Sequence, residues 1–553
     1  MGGNRVSRSA GGELAVSIPD PIVAGFKRGW KVVDASKLER DLTLEADVAI
    51  VGTGAGGGTA AEILSNAGLR VVMIEEGPLR SSSDFHMLER QAYPQLYQES
   101  AARQTKDKGI TILQGRSVGG STTVNWTSSF RTPHDTLAYW RSTFGLETYT
   151  PELLDSWFEL MERRLSIHPW QLPPNENNAV LLRGAKKLGI PAAVIPRNVK
   201  GCWNLGYCGM GCPTNAKQSM LVTTIPSALE KGAVLVHHAR AERFDIDGDD
   251  VSQLVVEALD ASDHKNIPYN IYVKAKTFIS SAGAIGSPAL LLRSRVPNPH
   301  RRLGKRTFLH PVVISAAVMP DDVDGFSGAP QSIYSDHFLT TQPIDGPIGF
   351  KLEVPPLHPL LAATTMPGFG AAAAKLLQDF PKLQVTIALM RDGFNEQSEG
   401  GEVQLRHDHS PQLDYPITQF VWDGMRRALV TMAEIQFAAG AKTVLPVHES
   451  AFPYTSLEQA KAQIAALPMD IMLCRVVSAH VMGGCAMSAD ERLGVVAGNG
   501  RHHFLSNLYV FDGSVFPTSL GVNPQLSIYG IVARMANDLA VSILGKPLEK
   551  RIV

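Results

Sequence analysis

Three places in this 553-residue chain carry residues whose types and spacing suggest chemistry. The first is Gly52-Thr-Gly54-Ala-Gly-Gly57, with Glu75 18 residues beyond Gly57. In such a loop the first glycine permits a tight turn. The second lets backbone approach a pyrophosphate, and the third lets helix pack close on strand. A helix starting there offers free N–H groups and its positive dipole end to phosphates. A carboxylate at Glu75 can accept hydrogen bonds from ribose hydroxyls and would repel a 2′-phosphate. The plainer alternatives are a chance turn and a surface carboxylate, and the motif does not separate FAD from NAD. The second place is Cys202, Cys208 and Cys212, within eleven residues. Thiolates so spaced can hold an iron–sulfur cluster; four is the usual count, and three can serve a three-iron cluster. The alternative is three reduced or partly paired thiols in a glycine-rich loop. The third is the C-terminal region around His480. Histidine suits general acid–base work because its ordinary pKa lies near operating pH, although a lone histidine is more often structural. Cys474, His480 and Cys485 fit no usual zinc spacing. His502 and His503 are adjacent, so one should face solvent, and neither is given a role.

The elements needed to position these residues are legible around the glycine loop. Asp47–Val51 reads as a buried parallel strand. Ala60, Ala61, Ile63, Leu64 and Ala67 give the apolar side of a helix. Arg70–Ile74 reads as a second strand ending at Glu75. That βαβ unit of about 30 residues makes the loop a dinucleotide site. Val234–Val236, Thr277–Ser280 and Leu508–Phe511 read as further strands, and Pro524–Leu544 as a helix with proline in its first turn. Residues 140–200 mix helical patterns with a stretch containing Pro169, Pro173 and Pro174. Residues 310–465 alternate strand-like segments with loops. Within them Pro355–Leu377 is apolar and rich in Pro, Gly and Ala. It reads as a packed loop or as a lid over an apolar substrate.

An α/β start and an α/β end around a different middle predict a discontinuous, Rossmann-like α/β domain from residues 30–140, 200–310 and 466–553. Residues 141–199 and 311–465 are left for a second, α+β domain, and 1–14 for a flexible tail. Lys plus Arg total 52 and Asp plus Glu 53, a net charge of −1, so no global field draws in nucleic acid or an anionic membrane. Apolar residues at 44% support a large core. Five cysteines exclude a disulfide scaffold. No apolar signal region is seen at the N-terminus and no run of about 20 apolar residues, so the expectation is a cytoplasmic protein without a transmembrane segment.

Three further segments carry a resemblance. Gly115-Arg-Ser-Val-Gly119-Gly120-Ser121-Thr-Thr-Val-Asn125 resembles the first hallmark of the glucose–methanol–choline (GMC) oxidoreductases. Gly283-Ala-Ile-Gly-Ser287-Pro288 onward to Ser294 resembles the second, except that Arg295 stands where glycine is usual, a departure expected to affect only a turn. Ser478-Ala-His480-Val-Met-Gly-Gly-Cys485, with Asp512-Gly513-Ser and Gly521-Val-Asn523-Pro524, resembles the C-terminal active-site region.

The resemblance implies an FAD domain of discontinuous segments beneath a substrate domain. It implies that Gly115, Arg116, Gly119, Gly120, Ser121 and Asn125 line the flavin and its pyrophosphate, and it adds Asp512, Gly513 and Pro524 to the FAD set of Gly52, Gly54, Gly57 and Glu75. Where some members attach FAD through histidine this chain has Val124, so the FAD is expected to be non-covalent. His480 matches the family base and Asn523 its partner. Both would hold the substrate hydroxyl so that hydride passes to flavin N5, with the N-terminus of the last helix stabilising the reduced ring. The cysteine trio is similar to that of glucose and gluconate dehydrogenase flavin subunits and to a stretch in long-chain fatty alcohol oxidases. The expected reaction is oxidation of an alcohol, apolar (long-chain, terpenoid or sterol-like) by likeness to fatty alcohol and cholesterol oxidases. Oxygen, a quinone or a cytochrome would accept the electrons, and peripheral membrane contact stays open. The alternatives are a sugar or polyol dehydrogenase using a three-iron cluster, a hydroxynitrile lyase, and a non-catalytic flavin-binding subunit.

Overall fold

Strand Leu42–Val51 pairs in parallel with Val71–Ile74 on one side and with Asn266–Ser280 on the other. These three strands centre an eight-stranded sheet in the computed structural model, which describes residues 18–262 and 265–546. The expected tail at 1–14 lies outside the described residues. Val48–Val51 and Val71–Ile74 are buried on both faces, as a parallel sheet covered by helices requires. Helix Ala55–Asn66 covers one face, and helix Gln525–Leu544 packs on it. That last helix is long and apolar enough to span a bilayer by length and composition alone, although Arg534, Asn537 and Asp538 interrupt its apolar run. Its Leu526, Tyr529, Ile531, Val532, Ala533 and Ala536 are buried in the core instead. Pro524 is its N-cap rather than its first turn.

The second sheet is mostly antiparallel and centres on Val312–Val318 and Leu383–Met390. Alternation divides their side chains. Val312, Ile314, Val385, Ile387 and Leu389 face one cluster, whereas Val313, Ala317, Ala388 and Met390 face another built on helix Gln419–Ala438. Strands Ile110–Ile112 and Val476–Ser478 join this sheet although their segments were assigned to the first unit. Helix Pro151–Arg164, assigned to the second unit, packs on Gln525–Leu544. Composition along the chain carries no record of a pairing partner hundreds of residues away.

Pro355–Leu377 is not a loop. It holds two helices, Pro359–Thr365 and Gly370–Gln378. Proline at the first helical position and the alanine runs favour this. The carboxylate of Glu89, from helix Glu89–Leu96, accepts from the N–H groups of Leu360 (2.7 Å) and Leu361 (2.9 Å), capping the first of the two helices. Arg295 falls at a helix C-terminus. Its N–H donates to Leu292 O (3.1 Å), and the N–H of Val296 donates to Leu291 O (3.3 Å). This is a Schellman turn with Arg295 in the left-handed region at φ +52.

Candidate active site

A cavity of about 1100 Å3 is lined by both sheets. Ordinary small-molecule pockets run to ~300–1,000 Å3, so this one stands at the large end, the size a dinucleotide needs. Its phosphate end is the glycine loop. A Cβ on Gly52 (φ +90) would lie 2.3 Å from Ser281 O, and one on Gly57 2.0 Å from Gly52 O. Protein packing therefore demands glycine at both. Gly54 differs: a Cβ there would meet only Gly120 Cα, at 3.8 Å. The space around Gly54 belongs to the cavity, and a bound group close to backbone is what a side chain there would displace. Helix Ala55–Asn66 has no side chain capping its N-terminus, so its N–H groups await an acceptor. This cradle fits a dinucleotide pyrophosphate.

Glu75 lines the cavity and is buried. It accepts from Gly77 N–H (3.0 Å), Thr53 N–H (3.1 Å) and the Thr53 hydroxyl (2.6 Å). Burial raises its carboxyl to about 7 against those hydrogen bonds. Thr53, which sequence reasoning passed over, also accepts from Gly119 N–H at 2.9 Å and so ties the two glycine loops together.

Gly115, Gly120, Ser121, Asn125, Asp512, Gly513 and Pro524 line the cavity. Gly57, Gly119 and Arg116 are not among its lining residues. Arg116 instead pairs with Glu76 at 3.1 Å, and Gly119 (φ +90) turns beneath Thr123 and Leu221. Asn125 donates to Gln525 Oε1 (2.7 Å), and Asp512 accepts from Gly283 N–H (2.9 Å) and the Ser287 hydroxyl (2.5 Å). The three hallmark segments are thus knitted together around the cavity. Val124 is a buried wall residue with no group that could bond a flavin.

His480 and Asn523 meet at the far end, with His480 Nε2 3.4 Å from Asn523 Nδ2. The Asn523 amide is oriented by a buried ion pair that sequence reasoning missed. Lys351 Nζ donates to Asn523 Oδ1 at 3.0 Å, and Asn523 Nδ2 donates to Glu353 Oε2 at 3.2 Å. Lys351 and Glu353 stand 2.8 Å apart with side chains 0% exposed. Lys351 Nζ also sits 3.2 Å from the centroid of the Phe130 ring, a cation–π contact. Burial pushes His480 down to about 4; Glu353 opposes the shift and Lys351 adds to it. His480 is therefore neutral at pH 7. Its Nδ1 faces Nδ1 of the buried His310 at 3.4 Å, and His310 Nε2 accepts from Gly521 N–H at 2.8 Å.

Part of the remaining wall is apolar. It includes Val312, Ile314, Val385, Ile387 and Leu389 of the second sheet and Leu360, Leu361 and Met366 of the short-helix segment. Behind the wall at Val124–Trp126 lie the three cysteines, all free and half-buried. Cys208 Sγ accepts from the Arg197 guanidinium (3.6 Å), Cys202 Sγ from Asn204 N–H (3.4 Å) and Cys212 Sγ from Lys217 N–H (3.5 Å). The buried Lys217 Nζ donates to the carbonyls of Thr123, Asn125 and Cys208. His502 is buried and His503 half-buried, outside the cavity.

The family patterns described as GMC oxidoreductase match residues 93–312 and 397–531. A GMC-type oxidoreductase of Mycobacterium tuberculosis is 31% identical over 530 residues, covering 93% of this chain and 80% of the relative. A long-chain-alcohol oxidase of Arabidopsis thaliana is 27% identical over 543 residues, covering 93% and 69%. Among solved structures, formate oxidase of Aspergillus oryzae superposes with a TM-score of 0.65 at 16% identity, covering 91% of this chain and 99% of that one.

Proposed function

The chain belongs to the GMC oxidoreductase family and is an FAD-dependent oxidoreductase, and on that premise we propose that it oxidises the CH–OH group of an apolar alcohol to an aldehyde or ketone. The observation that carries this reading is His480 beside Asn523 in a cavity with an apolar stretch of wall. The backbone of Gly52–Gly56, the N-terminus of helix Ala55–Asn66, Glu75 and the Gly115–Asn125 loop would hold the cofactor. When bound, FAD supplies the hydride acceptor.

His480 Nε2 takes the hydroxyl proton as the carbon–hydrogen bond is broken. Asn523 Nδ2, held by Glu353, donates to the substrate oxygen and fixes its orientation. The apolar wall excludes water from the reacting carbon. The long-chain-alcohol oxidases among the relatives support an apolar alcohol over a sugar. The same comparison makes oxygen the first acceptor to test, ahead of a quinone or a cytochrome. Val124 supports a non-covalent FAD. We read the cysteine trio as thiols rather than as ligands of a three-iron cluster.

A visible spectrum taken anaerobically tests the proposal. Adding a long-chain alcohol should bleach the flavin bands, and denaturation should then release all the flavin. Unchanged bands would reject the substrate class and turn the search to sugars or a lyase activity. Broad absorption beyond the flavin would restore the cluster.

One observation favours a second role for His480. Gly521 N–H donates to His310 Nε2, which puts the proton of neutral His310 on Nδ1, facing His480 Nδ1. If His310 donates there, His480 carries its own proton on Nε2 and meets the substrate as a hydrogen-bond donor. Nitrogen-15 NMR of labelled histidine separates the two tautomers.

A further inference from the structure

At the edge of the parallel sheet, behind the cavity lining and not part of it, two strand ends bring together a set of side chains with no part in the proposed reaction. Asp34 closes strand Lys31–Asp34, His237 closes Val234–His237, and the two are register partners. His238 follows in the left-handed region at φ +55, a conformation that costs energy and that its neighbours must hold. One carboxylate oxygen of Asp34 and one ring nitrogen of each histidine lie within 4.8 Å of one another. The histidines are 8% and 7% exposed, and Nδ1 of His237 has no hydrogen-bond partner. A buried polar nitrogen left unpaired beside a second imidazole and a carboxylate points to a missing partner.

One partner that suits two imidazoles and a carboxylate together is an electron-pair acceptor. Protons aside, that is a divalent first-row transition ion. With metal–ligand distances of ~2.0–2.2 Å, tetrahedral ligand atoms stand ~3.4 Å apart, so the observed triangle, with its atoms within 4.8 Å of one another, needs to contract by up to ~1.4 Å on an edge. A cation already occupies the approach: Lys37 Nζ lies 2.9 Å from Asp34 Oδ2 on a side chain 79% exposed. The other oxygen of Asp34 accepts from Ser36 N–H and its hydroxyl, which fixes the carboxylate. Asp34 is 24% exposed, so the triangle has a path to solvent.

We propose that Asp34, His237 and His238 bind one divalent transition-metal ion of the zinc class, which replaces the Lys37 ammonium and clamps the two strand ends together. Water completes the coordination. The clamp is structural. The N–H of His238 donates to Gly77 O (3.3 Å) and that of Ala239 to Glu75 O (2.9 Å). The ion therefore braces the backbone behind Glu75 on the cavity wall.

The test uses the holoprotein stripped with a chelator and titrated with Zn2+ by calorimetry. One equivalent should bind, and the X-ray absorption edge should report a shell of nitrogen and oxygen only, near 2.0–2.1 Å. His237→Ala should abolish this binding. Lys37→Met, a surface change that leaves the fold intact, should tighten it several-fold by removing the competing ammonium. The proposal is overturned by failure to bind Zn2+ or by binding that survives His237→Ala. It is equally overturned by sulfur at ~2.3 Å, which would assign the ion to the cysteine trio, or by an affinity indifferent to Lys37→Met.

Discussion

A neutral imidazole at the cavity end follows from what surrounds His480. Burial removes water from the charged form, and Lys351 repels it, while Glu353 favours it. The sign of the pH effect is then fixed. The base works only without its extra proton, so kcat/KM should stay level down to the region of pH 4 and fall below it. Glu353→Gln removes the charge that raises the histidine and should move this limb to still lower pH. The same shift acts on stability. Between the ordinary histidine value of 6.5 and about 4 the unfolded chain binds the proton and the native one does not, so His480 lowers stability as pH falls through that window. His480→Ala should lower kcat by about 10²–10⁴-fold, the range for losing a general base, while flavin absorbance is retained. Retained activity would exclude His480 as the base.

At the scale of elements, glycines that look equivalent in the sequence separate by what stands beside them. Gly54→Ala adds a methyl group to open space and should leave the apoprotein's unfolding midpoint unchanged while weakening FAD retention. Gly57→Ala drives a methyl group into Gly52 O and should prevent stable folding. Thermal melts with and without added FAD distinguish the two, and equal effects would reject the cradle. The turn at Arg295 offers a change in the other direction. A non-glycine residue in the left-handed region costs about 1–2 kcal/mol, so Arg295→Gly should stabilise the protein by about 1 kcal/mol in a denaturant titration. The strands flanking the glycine loop were legible because buried parallel strands are short apolar runs, and the loop's spacing set their neighbours. Lys351 and Glu353 were not. Two charged residues on strand Phe350–Glu353 suggest an exposed segment until the strand's antiparallel partner, Leu383–Met390, is known. His310 was missed for the same reason: its partners are Gly521 and His480, far away in the chain.

The whole molecule brings two sheets around one cavity, and the short-helix segment closes part of its wall. From Val354 to Gln378 the segment has a single Lys and no acid. Phe369 between its helices is 91% exposed, with Leu360 and Leu377 also exposed. Such a surface suits contact with lipid, and sedimentation with neutral phospholipid vesicles should fall on Phe369→Glu. Equal sedimentation of the two proteins would reject that contact. The second sheet has a further consequence. Along Val312–Val318 and Leu383–Met390, one set of side chains faces the cavity and the alternate set grips helix Gln419–Ala438. A lineage can therefore enlarge, narrow or reshape the space for substrate by exchanging residues such as Val312, Val385 or Leu389, while the alternate set keeps its packing on helix Gln419–Ala438. Diversification of substrate among descendants of such a chain needs few steps, and each step leaves the helix-facing half of the sheet's packing in place.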